Sequence, residues 1–448
     1  MKPPALPRKP RNVVIGPDPY VPHHGDLTYA VRHYDLALDY RVPSNRLAGR
    51  ARIAISPLQR LDRFALDLAG TLSVGKVLVD GARVRYAHRG DRLTITPARP
   101  LPTGADVTVE VQWSGNPRPT RGPWGEVGWE ELTEGVLVAG QPDGAPTWFP
   151  CNDHPALKAT YAIEATTDSP YVLVTNGALV GRTVRGSRTT WRYEQREPMS
   201  PYLASVQIGA YVTEELAAGP VPQRLHLPAR LRRTALHDFA RQPQMMELFT
   251  AAFGPYPFAA GYDVVVTDDP LEIPLESQGF STFGANHCGG RRHDERLVAH
   301  ELAHQWFGNA VGVASWQHIW LNEGFACYAE WLWAPYGGGE STDAAARRWH
   351  AALKRQPQDL VIADPGAADM FDDRVYKRGA LTLHALRRLL GDQVFGELVQ
   401  AWVAEHLQSV VTTEMFVEHA RTYGGAPART LLKAWLEQPT LPKLPARR

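Results

Sequence analysis

The segment HELAHQWFGN, residues 300–309, decides the fold, because it places two histidines four residues apart. On an α-helix this spacing turns the side chains by only about 40° around the axis, so His300 and His304 face the same way. Two imidazoles arranged in this way can bind one zinc ion at about 2.0–2.1 Å. Glu301, next to the first histidine, can act on a water molecule without binding the metal itself.

A third candidate ligand follows in the segment WLNEGFACYAE, residues 320–330. Eighteen residues separate His304 from Glu323, and we predict helices from Asp294 to Phe307 and from Leu321 to Trp333. Two helices joined by a short loop can pack antiparallel and bring the glutamate back to the imidazoles. Two histidines and one glutamate leave a fourth position open for water, which is typical of a catalytic zinc site and indicates a zinc-dependent peptidase.

Other interpretations of these residues remain open. The histidine pair also occurs by chance on ordinary surface helices. Cys327, four residues after Glu323, has ligand chemistry, but three ligands are already supplied and we predict a small core residue. Glu330 lies on the same helical face and is predicted either to orient His300 or to form a surface salt bridge.

The rest of the chain predicts a β-rich domain followed by a mostly helical one. Apolar residues alternate in several short segments separated by Gly, Pro and Asp, which indicates an antiparallel sandwich or saddle-shaped sheet over residues 26–215. Helical spacing then predicts a mostly helical α+β domain over residues 216–438, with a short strand at Tyr262–Thr267. We expect an extended lead-in over residues 1–25 and a loose tail over residues 439–448.

The composition excludes several classes of protein. Basic and acidic residues nearly balance at a net charge of +1, so neither nucleic acid nor an anionic membrane is an expected partner. Three cysteines are too few and too scattered for a disulfide framework. The sequence contains neither a secretory signal nor a membrane span, and we therefore expect a cytoplasmic protein.

HELAH followed after eighteen residues by NEG resembles the gluzincin zinc aminopeptidases, relatives of aminopeptidase N and the leukotriene-hydrolysing aminopeptidases. Further segments look like family segments in the same order, namely WFPCNDHPALKATY (148–161), PMSPYLASVQIG (198–209), FGPYPF (253–258) and VYKRGALTLH (375–384). The resemblance covers roughly residues 25–435 and implies a thermolysin-like catalytic domain after the β-rich one. It also implies an enzyme with one zinc ion that releases N-terminal amino acids from peptides, with Glu301 as general base.

The resemblance also suggests further residues of the site. Tyr376 matches the tyrosine of the family's Y-x-K-G segment, with Arg378 in place of lysine, and would donate a hydrogen bond to the oxyanion. From the sequence alone it would be a half-buried packing residue. Gln141 and Asp143 resemble the family's Gln-x-Glu pair and would contact the substrate, with aspartate shortening the reach by about one methylene.

Glu276, in EIPLESQG, aligns with the glutamate of the family's G-x-M-E-N motif, which implies that it binds the substrate's free α-amino group. The match is imperfect, since Ile273, Leu275 and Ser277 replace the motif's other residues. Without the resemblance, Glu276 would be interpreted as a solvated loop residue.

The larger relatives carry further domains after the catalytic one, whereas this chain ends about ten residues after its last predicted helix. We therefore expect a more open cleft, or a cover supplied by another subunit. Two alternatives to an aminopeptidase remain, an endopeptidase with the same zinc chemistry and an inactive metal-binding scaffold. The expected partners are peptides with a free N-terminus, and the oligomeric state stays open.

Overall fold

The computed structural model describes residues 13–446, which fall into two compact units. One, called here the β unit, contains residues 16–243 and 258–295. The other, called the helical unit, contains residues 13–15, 244–257 and 296–446. No helix within the described part of the chain is both long and apolar enough to cross a membrane.

Most of the β unit consists of short strands that form one large and several small sheets. In chain order the first strands are β1 (Tyr29–Arg41), β2 (Arg46–Pro57), β3 (Phe64–Asp67), β4 (Leu72–Val79), β5 (Ala82–Arg83), β6 (Arg85–Arg89), β7 (Arg92–Thr96), β8 (Val107–Gly115), β9 (Thr120–Gly122), β10 (Gly125–Leu132), β11 (Gly135–Ala139), β12 (Ala159–Asp168), β13 (Val172–Thr175), β14 (Ala178–Arg185), β15 (Arg188–Met199) and β16 (Val206–Gly209). They form an 8-stranded sheet (β14-β15-β12-β1-β2-β8-β4-β5), a 5-stranded sheet (β13-β16-β11-β10-β9) and a 3-stranded sheet (β3-β7-β6).

The alternation seen in the sequence matches the burial of these strands. On β1 the side chains of Tyr34, Leu36, Leu38 and Tyr40 are all buried, while the residues between them are partly or fully exposed. The predicted β-rich N-terminal part is therefore confirmed. One neighbouring pair of the large sheet departs from the antiparallel pattern, since β1 and β12 run parallel. A long connection separates them in the chain, which allows the second strand to enter in either direction.

The predicted lead-in makes buried contacts in the part that the structure describes, where residues 13–25 form neither helix nor strand. Asp18 is fully buried, and its carboxylate accepts hydrogen bonds from the backbone N–H groups of Tyr20 (2.8 Å) and Val21 (3.2 Å). His154 donates from Nε2 to the carbonyl oxygen of Gly16 at 3.1 Å. These contacts anchor the segment before β1, and residues 1–12 lie outside the described residues.

A further sheet begins at the end of the predicted β-rich domain and continues where the sequence predicted mostly helical structure with only one strand. Its elements, with the two helices between them, are β17 (Tyr211–Ala217), β18 (Gln223–Pro228), α1 (Arg232–Asp238), α2 (Gln242–Phe253), β19 (Tyr262–Val266), β20 (Leu275–Ser277) and β21 (Phe280–Phe283). The strand order is β17-β18-β19-β21-β20. The predicted strand at Tyr262–Thr267 is the central one, and its side chains are buried on both faces.

The helical unit continues with α3 (Glu295–Ala303), β22 (Val311–Val313), α4 (Trp320–Trp333), α5 (Thr342–Leu353), α6 (Asp373–Leu390), α7 (Asp392–His406), β23 (Ser409–Val411) and α8 (Thr413–Glu437). Side-chain caps explain where several of these helices begin: Ser341, Asp372 and Thr412 each accept a hydrogen bond from a backbone N–H of the following turn. Helix α8 breaks at Gly425, which has a φ of 61°.

Helices α4 and α6 cross where glycine faces glycine. A Cβ atom on Gly324 would lie 2.9 Å from the Cα atom of Gly379, and one on Gly379 would lie 2.8 Å from the Cα atom of Gly324. The two backbones are thus in direct contact, which only glycine permits on both sides. Glu323 is adjacent to this crossing on α4, and Tyr376 lies one turn away on α6.

The predicted loose tail is partly docked. The buried guanidinium of Arg378 donates to the carbonyl oxygen of Pro439 at 2.6 Å. The N–H of Leu441 donates to the side-chain oxygen of Gln358 at 2.7 Å. Arg378 lies on α6, and its planar guanidinium presents several donors at fixed angles. It can therefore bind backbone carbonyl groups of the tail. The arginine at this position therefore fastens the first residues of the segment 439–448.

Candidate metal centre and active site

Three buried side chains of the helical unit converge on one point. Oε2 of Glu323 lies 3.4 Å from Nε2 of His300 and 3.4 Å from Nε2 of His304. All three candidate ligand atoms lie within 4.8 Å of one another. Ligand atoms at about 2.0–2.1 Å from a tetrahedral zinc ion lie about 3.3–3.4 Å apart. The distances to the glutamate therefore match two edges of a zinc coordination tetrahedron.

In both imidazoles Nδ1, the nitrogen that does not face the shared point, donates a hydrogen bond. His300 donates from Nδ1 to Oε1 of Glu330 at 2.8 Å, and His304 donates from Nδ1 to the carbonyl oxygen of Phe307 at 3.1 Å. Since Nδ1 carries the proton in both rings, each Nε2 presents a lone pair to the shared point. Of the two sequence interpretations of Glu330, orientation of His300 agrees with this contact.

The helix that carries the histidines is shorter than predicted. It spans Glu295–Ala303 instead of Asp294–Phe307. An α-type hydrogen bond beyond this helix, from His304 N to His300 O at 3.2 Å, keeps the second histidine one turn above the first. The chain then widens, and Asn309 N donates to His304 O at 3.0 Å, five residues back. The two imidazoles thus remain on one face although the regular helix has ended.

The electrostatics of this site favour a cation. Three buried carboxylates, of Glu301, Glu323 and Glu330, surround the imidazoles. Burial lowers the pKa of His300, but its hydrogen bonds with Glu323 and Glu330 outweigh burial and raise the pKa to about 9. Burial raises the pKa of Glu301, although both imidazoles oppose this effect. These buried carboxylates favour a positive charge at this point, and a divalent metal ion that takes the place of the second imidazole proton at Nε2 fits the site.

Tyr376 reaches the same site from α6. Its half-buried ring lies 6.1 Å from the His300 ring, measured between centroids, at an interplanar angle of 18°. The tyrosine therefore stacks beside the first candidate ligand. The structure places the residue that the family resemblance singled out close to the metal position, on a different helix from any of the ligands.

Sequence reasoning missed two positively charged side chains, Arg296 and Lys377, that lie close to the candidate ligands. Arg296 pairs with Oε2 of Glu330 at 3.3 Å. The buried ammonium of Lys377 lies 3.5 Å from Sγ of Cys327 and 4.8 Å above the Trp349 ring. Burial alone would raise the pKa of Glu330, but its hydrogen bond to His300 and the charge of Lys377 lower it to about 2. Burial also raises the pKa of the Cys327 thiol, so this side chain is a neutral core residue, as predicted.

The remaining predicted site residues belong to the β unit. Gln141 and Asp143 follow β11, and both are half-buried. Nε2 of Gln141 and Oδ1 of Asp143 are buried without a hydrogen-bond partner among residues 13–446. Glu276 lies within β20, opposite Ser281 of β21, so the expectation of a loop position is wrong. Its side chain is half-buried.

Comparison with known families identifies both parts of the chain. Residues 30–203 match the peptidase M1 N-terminal domain, and residues 239–435 match the peptidase family M1 domain. Aminopeptidase M1 of Arabidopsis thaliana is 28% identical over 333 residues, which are 68% of this chain and 37% of the relative. Aminopeptidase M1-B of Oryza sativa subsp. japonica is 24% identical over 450 residues, 92% of this chain and 50% of the relative. The chain thus spans half or less of the length of these two relatives.

A solved structure matches over almost its entire length. An M1 zinc metallopeptidase from Deinococcus radiodurans, determined as a mutant bound to the substrate Tyr-Ser-Ala, is 31% identical to this chain and superimposes with a TM-score of 0.87. The match covers 96% of this chain and 98% of that protein. The gluzincin resemblance and the predicted order of a β-rich domain before a helical catalytic domain are thereby confirmed. The chain belongs to the M1 family of zinc metallopeptidases.

Proposed function

We propose that the chain is an aminopeptidase in which His300, His304 and Glu323 bind one Zn²⁺. The observation that carries the proposal is the convergence of these three ligand atoms, with 3.4 Å between the glutamate oxygen and each imidazole nitrogen. Hydrogen bonds at both Nδ1 atoms fix the rings in the binding tautomer. Three protein ligands leave one tetrahedral position for water or substrate, as in catalytic zinc sites.

The proposed reaction needs a proton carrier beside this site. Zinc, when bound, polarises the scissile carbonyl and lowers the pKa of water toward neutrality. Glu301 follows His300 directly on α3 and is buried, but it does not belong to the three converging ligands. We assign it the role of general base, which takes a proton from the attacking water and passes it to the departing amine.

The oxyanion that forms during hydrolysis needs a hydrogen-bond donor. We assign this role to the phenol of Tyr376, because its ring stacks on His300 and because α6 holds it independently of α3 and α4. Its match to the family's tyrosine supports the same role. The position of this half-buried phenol beside three candidate ligands supports the catalytic role over the alternative of a packing residue.

Recognition of a free N-terminus distinguishes an aminopeptidase from an endopeptidase. We assign binding of the substrate's α-amino group to Glu276, with Gln141 and Asp143 as further substrate contacts. The family resemblance supports Glu276, and the unpaired polar atoms of the other two support a ligand beside them. The two plant relatives are named aminopeptidases, and the Deinococcus protein was solved with a tripeptide substrate.

A pair of chromogenic substrates tests the proposal. The zinc-loaded protein should hydrolyse an aminoacyl 4-nitroanilide, while the N-acetylated form of the same compound should not be cleaved, because acetylation removes the ammonium group. A chelator should abolish turnover, and added Zn²⁺ should restore it. Equal cleavage of both compounds would favour the endopeptidase alternative, and zinc binding without hydrolysis of peptides or anilides would favour an inactive scaffold.

Replacing Glu276 by glutamine should weaken binding of free-amine substrates. A hydrogen bond to a charged group contributes about 1.5–3 kcal/mol, so we expect KM to rise by roughly 10- to 100-fold. Zinc content, measured by elemental analysis, should not change. The exposed Glu272 in the same segment provides a matched control, and its glutamine variant should behave as the unmodified protein. An unchanged KM in the Glu276 variant would remove this residue from the proposed site.

We further propose a cytoplasmic location. The three cysteines are free and buried, which suits a compartment that keeps thiols reduced. Recovery of the native protein mainly from a secreted fraction would contradict this location.

A further inference from the structure

His24 of the β unit lies between two carboxylates. Its Nδ1 donates to Oδ2 of Asp153 at 3.0 Å, and its Nε2 lies 3.8 Å from Oδ2 of Asp143. The imidazole side chain is 22% exposed, compared with 4% for Asp153 and 17% for Asp143. His24 therefore links the buried carboxylate of Asp153 to Asp143, one of the proposed substrate contacts.

The backbone around His24 is fixed by the same network. The N–H of Gly25 donates to Oδ2 of Asp67 at 2.9 Å, and Nη2 of Arg92 donates to the carbonyl oxygen of Gly25 at 2.8 Å. The N–H of Asp153 donates to the same Asp67 oxygen at 3.0 Å. His24 and its carboxylate partner are therefore anchored through one shared residue, which limits how far the imidazole can move.

The imidazole carries a positive charge at neutral pH. Burial lowers the pKa of His24, but the hydrogen bond to Asp153 and the charges of Asp153, Asp67 and Asp143 outweigh burial and raise the pKa to about 9. Burial raises the pKa of Asp143, and the positive charge of His24 counteracts this rise. The imidazolium thus helps to keep Asp143 ionised.

The two oxygens of Asp143 have different surroundings. Oδ2 faces His24, whereas Oδ1 is buried without a hydrogen-bond partner among residues 13–446, as is the side-chain amide nitrogen of Gln141, two residues earlier in the chain. A buried acceptor and a buried donor left unpaired are costly unless a ligand satisfies both. The N-terminal residue of a peptide has the matching groups, an ammonium donor and a carbonyl acceptor.

We propose that His24 is a positioning residue for substrate recognition, which holds Asp143 ionised and oriented so that Oδ1 receives the substrate's α-amino group. The inference rests on the proposed aminopeptidase function. It assigns a role to the segment before β1, which the sequence presented only as a lead-in. His24 does not contact the substrate and acts through Asp143.

The test is a double-mutant cycle on KM with an aminoacyl 4-nitroanilide. H24Q removes the charge and should raise KM about fivefold at pH 7, the size expected of a partly screened ion pair, with kcat and zinc content unchanged. D143N should raise KM at least as much, and H24Q should have no further effect in the D143N background. The exposed neighbour His23 supplies the control H23Q, which should leave KM unchanged.

The pH profile separates this role from a merely structural one. Without the imidazolium, the pKa of Asp143 rises, so in H24Q the acid limb of kcat/KM should shift to higher pH. A structural defect would lower kcat/KM at every pH and lower the melting temperature, and H24N serves as a second variant if H24Q unfolds. Equal effects of H24Q in both backgrounds, or no effect on KM, would overturn the inference. Failure of the aminopeptidase function would instead appear in the unmodified protein, as absent hydrolysis of the free-amine substrate, and would also overturn it.

Discussion

Glu301→Gln should abolish nearly all turnover while the protein still binds zinc. The amide cannot accept the proton from the attacking water, and general acid–base catalysis of this kind contributes about 10²–10⁴-fold. We therefore expect kcat to fall by roughly a thousandfold. Since Glu301 is not one of the three converging ligands, zinc content should stay near one ion per chain. Steady-state kinetics together with elemental analysis of the same preparation measure both quantities.

The exposed Glu247 on α2 supplies a control of the same chemistry, and Glu247→Gln should keep full activity. If Glu301→Gln retained more than about a tenth of kcat, another group would have to carry the proton, and the proposed mechanism would be wrong. If the variant lost its zinc instead, the result would place Glu301 among the ligands and would contradict the separation of roles proposed here.

The metal site could be predicted from the sequence because its three ligands lie close together along the chain. His300 and His304 are one helical turn apart, and Glu323 follows within the next helix, so spacing alone brings the three into one hypothesis. The end of the first helix could not be predicted in the same way. Residues after Ala303 keep the chain coiled but mix hydrogen bonds of different span, such as the wide one from Asn309 N to His304 O, and periodicity does not distinguish these from an α-helix.

Sequence analysis missed strands in which the alternation of apolar and polar residues is weak. The strand β20 has only three residues, Leu275–Ser277, and alternation cannot be recognised over so short a length. Its hydrogen bonds to β21 explain why Glu276 lies on a strand and not in the expected loop. Family resemblance singled out the glutamate as a candidate but contained no information about its local conformation.

Contacts between distant residues were beyond sequence reasoning. Arg296 meets a glutamate 34 residues away, Lys377 meets a cysteine 50 residues away, and His24 meets an aspartate 129 residues away. None of the three has a spacing that indicates metal binding or catalysis. Each lies near a predicted site residue only because the fold brings separate elements together, which is why they emerge from the structure alone.

Gly379→Ala should disrupt the active site through the backbone. The added methyl group would lie 2.8 Å from the Cα atom of Gly324, and a backbone atom cannot rotate away as a side chain can. The helices α4 and α6 would have to separate, and this would displace Glu323 on one side and Tyr376 on the other. Overpacking of this kind costs about 1–3 kcal/mol. Since a displacement near 1 Å can cost about a hundredfold in rate, we expect kcat to fall by about that factor.

Gly396→Ala, a glycine-to-alanine change at an uncrowded helix position, provides the matched comparison for Gly379→Ala. Gly396 lies inside α7, and a Cβ atom added there would have no atom within 4 Å, so Gly396→Ala should stabilise the protein by up to about 1 kcal/mol through helix propensity. Gly379→Ala gains the same propensity, so any loss of stability measures the crowding at the crossing. Denaturant unfolding, zinc content and kcat should separate the two variants. If they behaved alike, the contact between α4 and α6 would be too plastic to position Glu323 and Tyr376.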